Sequence, residues 1–186
     1  MGAEELADAL VRARAGDGAA IAMLFRALHP RLLRFIQAHE ARVADDLAGE
    51  VWMGVAAGLG TFDGDLVHFR AWVFSIARRR IADHRRRAMR RGAELVGDDV
   101  LLERAGVQDT EASITNRLSA QEAARLVVAM LPPDQAEVVL LRVLADLDID
   151  EVAQIMGRSA NWVRVTGHRA LRRLADRLGT RIDTLR

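Results

Sequence analysis

The sequence predicts an all-α protein of two small helical domains joined by a flexible acidic linker, and three observations carry that reading. Apolar residues recur at helical spacing almost throughout. No stretch alternates at period two for long enough to argue a strand. Charge divides the chain into blocks: residues 78–91 hold eight Arg against Asp83 alone, residues 92–122 hold seven acids against Arg104 and Arg117, and residues 158–181 hold seven Arg against Asp176. The expected boundaries are a first domain over 1–91, a linker over 92–117 and a second domain over 118–186. The stretch from Gly92 to Ser113, with three Gly, scattered acids and weak periodicity, has linker composition.

The elements follow in order. Leu6, Leu10 and Val11 form one apolar stripe, Ile21, Leu24, Phe25 and Leu28 a second, and Leu32, Leu33, Phe35 and Ile36 a third; Gly16-Asp17-Gly18 and His29-Pro30 are expected to separate them. Leu47, Val51, Val55 and Leu59 make a fourth stripe that ends at Gly58 and Gly60. Residues 60–68 then form a polar, glycine-containing loop that carries Phe62, Asp63 and His68. Phe69 to Ala77 is apolar nearly all round, with Trp72 and Phe74 expected in the core, and continues as Arg78, Arg79, Arg80, Ile81, Ala82, Asp83, His84, Arg85, Arg86 and Arg87. One end of that helix is buried and the other is offered to a polyanion. A basic helix beside an aromatic-bearing loop suits single-stranded nucleic acid, where aromatics stack on unpaired bases and Arg tracks phosphates.

The second domain carries the most specific pattern. Leu131-Pro132-Pro133-Asp134 opens a helix whose apolar face is Val138, Val139, Leu141, Val143 and Leu144. Asp148 and Glu151 make a capping box for a second helix, Leu147 can staple onto Val152, and Gly157 supplies the left-handed stop. Ser159 caps a third helix. The small Ala153, the turn glycine and Val163 together give a helix-turn-helix. On the third helix Val163, Gly167, Ala170, Leu171 and Leu174 are expected in the core, while Asn161, Val165, His168 and Arg172 line the opposite face with Arg164 and Arg169 beside them. Such a face suits the major groove, with its N-terminal residues near base edges.

Composition sets the remaining bounds. The 186 residues hold 27 basic and 26 acidic side chains, so any electrostatic function is local rather than global. All the bases are Arg, each a planar fork able to bind an anion bidentately. The absence of Cys excludes disulfides, thiolate zinc sites and a Cys nucleophile, and fits a reducing compartment. Glu4 and Glu5 near the N-terminus, and the lack of any apolar run of about 20 residues, argue against a signal peptide and a membrane span; the expected location is the cytoplasm. Asp46 and Glu50 share a helical face with Asp45 alongside, but no His, nucleophile or metal-ligand spacing accompanies them. They read either as a solvated acidic face or as a docking surface for a basic partner. The five His are dispersed, Glu151 stands where a calcium loop needs its glycine, and Gly58-Leu59-Gly60 lacks a third fingerprint glycine. No enzyme, metal or cofactor is expected.

These residues resemble the extracytoplasmic-function (group IV) sigma factors of bacterial RNA polymerase, over residues 5–91 and about 118–178. Asp45-Asp46-Leu47 with Glu50-Val51-Trp52 resembles the segment that docks on the polymerase clamp helices, which implies polymerase contacts at Asp45, Asp46, Glu50 and Trp52. Phe69-Arg70-Ala71-Trp72-Val73, Ile76-Ala77-Arg78, Asp83-His84 and Arg86-Arg87 resemble the helix that reads and opens the −10 element, with the 60–68 loop placed to receive a flipped base. The implied −10 residues are Phe62, Asp63, His68, Arg78, Arg79, Arg80, Asp83, His84, Arg86 and Arg87. Leu131-Pro132, Glu151-Val152-Ala153, Met156-Gly157, Ser159, Val163-Arg164 and His168-Arg169-Ala170 are similar to the −35-reading helix-turn-helix. There the implied contacts are Ser159, Asn161, Trp162, Arg164, Val165, His168, Arg169 and Arg172. Gly49 stands where the family usually has Gln, Arg79 where it has Asn, and Trp162 and Thr166 replace its common Thr and Arg. The resemblance further implies core RNA polymerase (clamp helices and flap), duplex and single-stranded promoter DNA, and an anti-sigma factor as partners, with the acidic linker threading toward the RNA exit channel. The rival reading is a dimeric helix-turn-helix regulator acting on duplex DNA without polymerase.

Overall fold

The computed structural model describes the backbone of residues 2–95 and 114–183 and the side chains of residues 2–91 and 122–179. The described residues form eight α-helices: α1 (Ala3–Arg14), α2 (Gly18–Glu40), α3 (Ala44–Gly58), α4 (Leu66–Leu95), α5 (Ile114–Met130), α6 (Pro133–Val143), α7 (Ile149–Met156) and α8 (Ala160–Asp183). No strand occurs among them. The expected linker lies mostly outside the described residues, although α4 runs four residues past 91 and α5 begins four before 118.

The stripes account for most of the core. Leu24, Leu28, Leu32, Phe35 and Ile36 of α2 are buried together with Leu47, Val51 and Val55 of α3 and Phe69, Val73, Phe74 and Ala77 of α4. The four-residue spacing from Leu24 through Leu28 to Leu32 crosses Pro30 without a break, and here the sequence expectation fails: His29-Pro30 does not separate two helices, because Pro30 lies inside α2. Proline in a helix interior costs about 3 kcal/mol, and the continuous buried stripe on both sides of it outweighs that penalty. Along α1 the face is rotated from expectation, since Val11 is exposed and Ala9, Leu10 and Ala13 pack inward. Ile21 and Phe25 are likewise partly exposed.

The helix-turn-helix forms as its local chemistry dictates. Asp148 accepts from the Glu151 backbone N–H at 2.8 Å, and the Asp148 N–H donates to Glu151 Oε2 at 2.6 Å. Gly157 takes φ 61°, a left-handed turn that favours glycine. Ser159 Oγ accepts from the Trp162 N–H at 3.2 Å and opens α8. Val163, Thr166 and Ala170 form the buried face of α8. This corrects the expected core face: Leu171 is 60% exposed. It lines an open apolar groove between α6 and α8 together with Val139, Val143 and Val163, and Thr166 takes the inward position instead.

The two helical units pack against each other, α4 on α7 and α2 on α5. Ion pairs cross between them: Arg31 to Asp146 at 2.8 Å, Arg78 to Glu137 at 2.8 Å and Arg70 to Glu151 at 3.1 Å.

Candidate nucleic-acid interface

The exposed face of α8 collects most of the expected −35 residues. Asn161, Arg164, Val165, His168, Arg169 and Arg172 are all exposed, with Ser159 at the helix start. Trp162 is half-buried against the core, and the Arg158 guanidinium lies 5.5 Å from its ring centroid.

On α4 the basic run separates by environment. Arg79, Arg86 and Arg87 are exposed, and Arg80, Asp83, Arg86, Arg87 and Arg90 line one polar groove of about 260 Å³. Asp83 sits within it as an internal counter-ion to Arg86, whose hydrogen bond holds the Asp83 carboxyl below its usual range. Arg80 lies 3.7 Å from Glu50, which links the basic helix to the acidic face of α3. His84 is half-buried. Arg78 is set apart from its neighbours, for it donates to Glu137 at 2.8 Å and to the Ile155 carbonyl at 2.8 Å. Those partners belong to α6 and α7, so the structure turns this arginine toward the second unit.

The expected 60–68 loop is shorter than the sequence suggested, since Gly60 and Thr61 belong to a 3-10 turn and Leu66 to His68 form the first turn of α4; in the short connection between them Phe62 is half-buried, stacked on Trp72 at 5.0 Å and edge-on to Phe69 at 5.5 Å. Asp63 is exposed. His68 donates through its backbone N–H to Asp65 Oδ1 at 2.9 Å, and this bond is the main cause that lowers the Asp65 carboxyl from its ordinary range.

On α3, Asp45 and Asp46 are exposed. Trp52 donates from Nε1 to His29 Nδ1 at 3.2 Å and lies 4.9 Å from Phe25, whose other ring neighbour is His29 at 4.6 Å. This aromatic cluster is partly exposed and shares α3 with the acids through Trp52.

The sequence reading missed the contacts that join the two units. His39 of α2 is buried between Arg78, Arg85 and Glu137, with its Nε2 3.4 Å from Glu137 Oε2. Burial first, then Arg85 and Arg78, lower its pKa from 6.5 to about 4. Burial raises the Glu137 carboxyl against the opposing effect of Arg78, and burial also raises Glu151. No local signal marks these residues. Glu151 satisfies its capping box within the sequence, and its second partner, Arg70, lies 81 positions away. Among the described residues no group of His, Asp and Glu could hold a metal ion, and no helix is long and apolar enough to cross a membrane.

Comparison with known proteins decides between the two readings. Residues 24–91 match the family Sigma-70 region 2, and residues 121–174 match Sigma-70, region 4. The ECF RNA polymerase sigma factor ShbA of Streptomyces griseus is 35% identical over 173 residues, covering 88% of this chain and 90% of its own length. The chain belongs to the ECF sigma factors of RNA polymerase.

The ECF sigma factor SigD of Mycobacterium tuberculosis is 29% identical over 191 residues, covering 96% of this chain and 86% of SigD. Among solved structures the fold is like that of CnrH in complex with the cytosolic domain of CnrY, with TM-score 0.69 and 18% identity over 96% of this chain and 99% of that one. It is also like RpoE in complex with the anti-sigma factor NepR from Bartonella quintana, with TM-score 0.63 and 20% identity over 86% and 96%. An alternative sigma factor that directs transcription accounts for both matched regions. A stand-alone helix-turn-helix regulator leaves residues 24–91 unexplained and is not favoured.

Proposed function

We propose that this ECF sigma factor docks on core polymerase through Asp45, Asp46, Glu50 and Trp52 on α3, reads the −35 element with the outer face of α8, and opens the −10 element with the 60–68 segment and the arginines of α4. The second unit makes a further contact with the polymerase flap, and an anti-sigma factor is a partner. The protein acts in the cytoplasm, and its part in initiation is binding rather than covalent catalysis. The observation that carries the reading is the co-occurrence in one chain of an exposed recognition-helix face, Asn161 to Arg172, and an exposed arginine groove, Arg80 to Arg90, within the two matched regions.

The chemistry at each end differs. At the −35 end Asn161 can pair with adenine edges and Arg164, Arg169 and Arg172 with guanine or phosphate. At the −10 end, unstacking costs a few kcal/mol per base and capture of the flipped base offsets it. Arg79, Arg86 and Arg87 are exposed and bond within α4, to Ser75 and Asp83, whereas Arg78 must first release Glu137 and Ile155 on the second unit.

Footprinting of the holoenzyme on a mapped promoter tests the assignment. Arg164→Ala with Arg172→Ala is expected to weaken protection upstream while a pre-opened template still initiates. Arg86→Ala with Arg87→Ala is expected to leave upstream protection intact and block opening. Equal effects of both pairs at both elements would contradict the division of labour.

A further inference from the structure

The loop that the proposed function uses to receive a base is held from α1 by a residue no motif singles out. Arg14 is the last residue of α1, and its Nη2 donates to the carbonyl of Gly64, 50 positions later. The same guanidinium lies 5.1 Å from the centroid of the Phe62 ring, which is itself stacked on Trp72. One planar cation therefore touches both the backbone and the aromatic of the loop. Gly64 has φ +152°, and a Cβ there would stand 2.8 Å from His68 Cβ and 3.0 Å from the Phe62 ring. The loop is consequently folded tightly over the start of α4, and Arg14 ties it to the end of α1.

The guanidinium is half-buried, and its Nε is buried with no hydrogen-bond partner. A buried donor left unpaired is unfavourable, and a guanidinium aimed at a carbonyl and an aromatic is an arrangement only Arg can make. Placing a charged fork here for helix packing alone would be costly, since an apolar side chain would fill the space without desolvating a charge.

Resting on the reading of the 60–68 segment as the base-capturing element, we propose that Arg14 is a positioning residue for −10 recognition. It fixes the Phe62–Gly64 backbone before DNA arrives, so that the entropy of ordering the loop is not spent at the moment of capture. It touches no base itself. Its effect is on discrimination of the −10 strand and not on docking to polymerase, because the acidic face of α3 lies on other residues.

The test uses the holoenzyme assembled from core polymerase and the full chain, and a single-stranded oligonucleotide carrying the non-template −10 element mapped by transcript sequencing. The readouts are affinity for that oligonucleotide, affinity for a scrambled one and affinity for core polymerase. Arg14→Ala and Arg14→Met, the latter keeping the aliphatic stem, are each expected to cut the specific-to-scrambled ratio about tenfold, the loss of one charge-assisted bond and one cation–π contact. Core affinity is expected to stay within about twofold, and Arg14→Lys to recover only part of the ratio, since ammonium lacks the planar fork. An unchanged ratio in Arg14→Met, while Phe62→Ala or Asp63→Ala lowers it, would overturn the role of Arg14 and leave the loop reading standing. A parallel loss of core affinity and oligonucleotide affinity would assign Arg14 to folding and overturn it too. If no substitution at Arg14, Phe62 or Asp63 changed the ratio, the loop reading itself would fall.

Discussion

Folding strongly alters the environment of His39. Neutral in its buried site beside Arg78, Arg85 and Glu137, it has a pKa of about 4 against 6.5 for an ordinary imidazole. Between those values the folded state binds fewer protons than the unfolded one, so the stability it preserves is complete above the higher value and is lost as pH falls toward the lower. Glu137 works in the opposite sense, because a raised carboxyl pKa makes its contribution fall as pH rises through that value. Comparison with His39→Gln isolates the imidazole. Urea unfolding at pH 7 and pH 5 is expected to show the wild type losing about 2 kcal/mol relative to the variant, and equal losses would contradict this account. Glu151 makes a second case, since it completes the capping box and lies 3.1 Å from Arg70 while fully buried. Glu151→Ala should cost about 2–4 kcal/mol, the cap together with an uncompensated Arg70. Glu151→Gln should cost less, because an amide oxygen still accepts from Asp148; the urea midpoints of the two variants check the order.

Helices were legible wherever periodicity, caps and turn residues agreed. The α7-turn-α8 unit is the clearest example, because Asp148, Glu151, Gly157 and Ser159 act within a few residues of one another and their geometry is set locally. Gly157→Ala is expected to cost about 1–2 kcal/mol for the left-handed backbone, read as a fall in melting temperature with −35 specificity retained once folded. Where tertiary packing overrode a local rule, the sequence misled. Pro30 reads as a breaker, yet one buried stripe runs through it, and Leu171 reads as core, yet it stands on the rim of a groove. On α4 the charge run was legible but its division was not, since Glu137 lies 59 positions from Arg78. Glu137→Ala should leave Arg78 held by the Ile155 carbonyl alone and raise the affinity of the isolated chain for single-stranded DNA several-fold at fixed salt, measured by fluorescence anisotropy; an affinity unchanged both in Glu137→Ala and in Arg78→Ala would show that Arg78 takes no part in strand binding.

At the scale of the whole molecule, the order of the motifs identified the family, whereas the packing of α4 on α7 and of α2 on α5 was invisible to it. Periodicity reports which face of a helix is buried and says nothing of which distant helix covers it. Arg31, Arg70 and Arg78 each found a carboxylate in the second unit, and in the sequence each is simply one more arginine among 27 basic residues. The central claim is that this chain directs core RNA polymerase to a two-part promoter, and it is tested most directly by transcription from a GC-rich genomic fragment library with purified core polymerase and this protein, followed by sequencing of the transcripts. The account expects starts at a fixed distance downstream of a shared asymmetric pair of elements, absent when the protein is omitted. Binding of duplex DNA by the protein alone, with no association with polymerase and no specific starts, would contradict it.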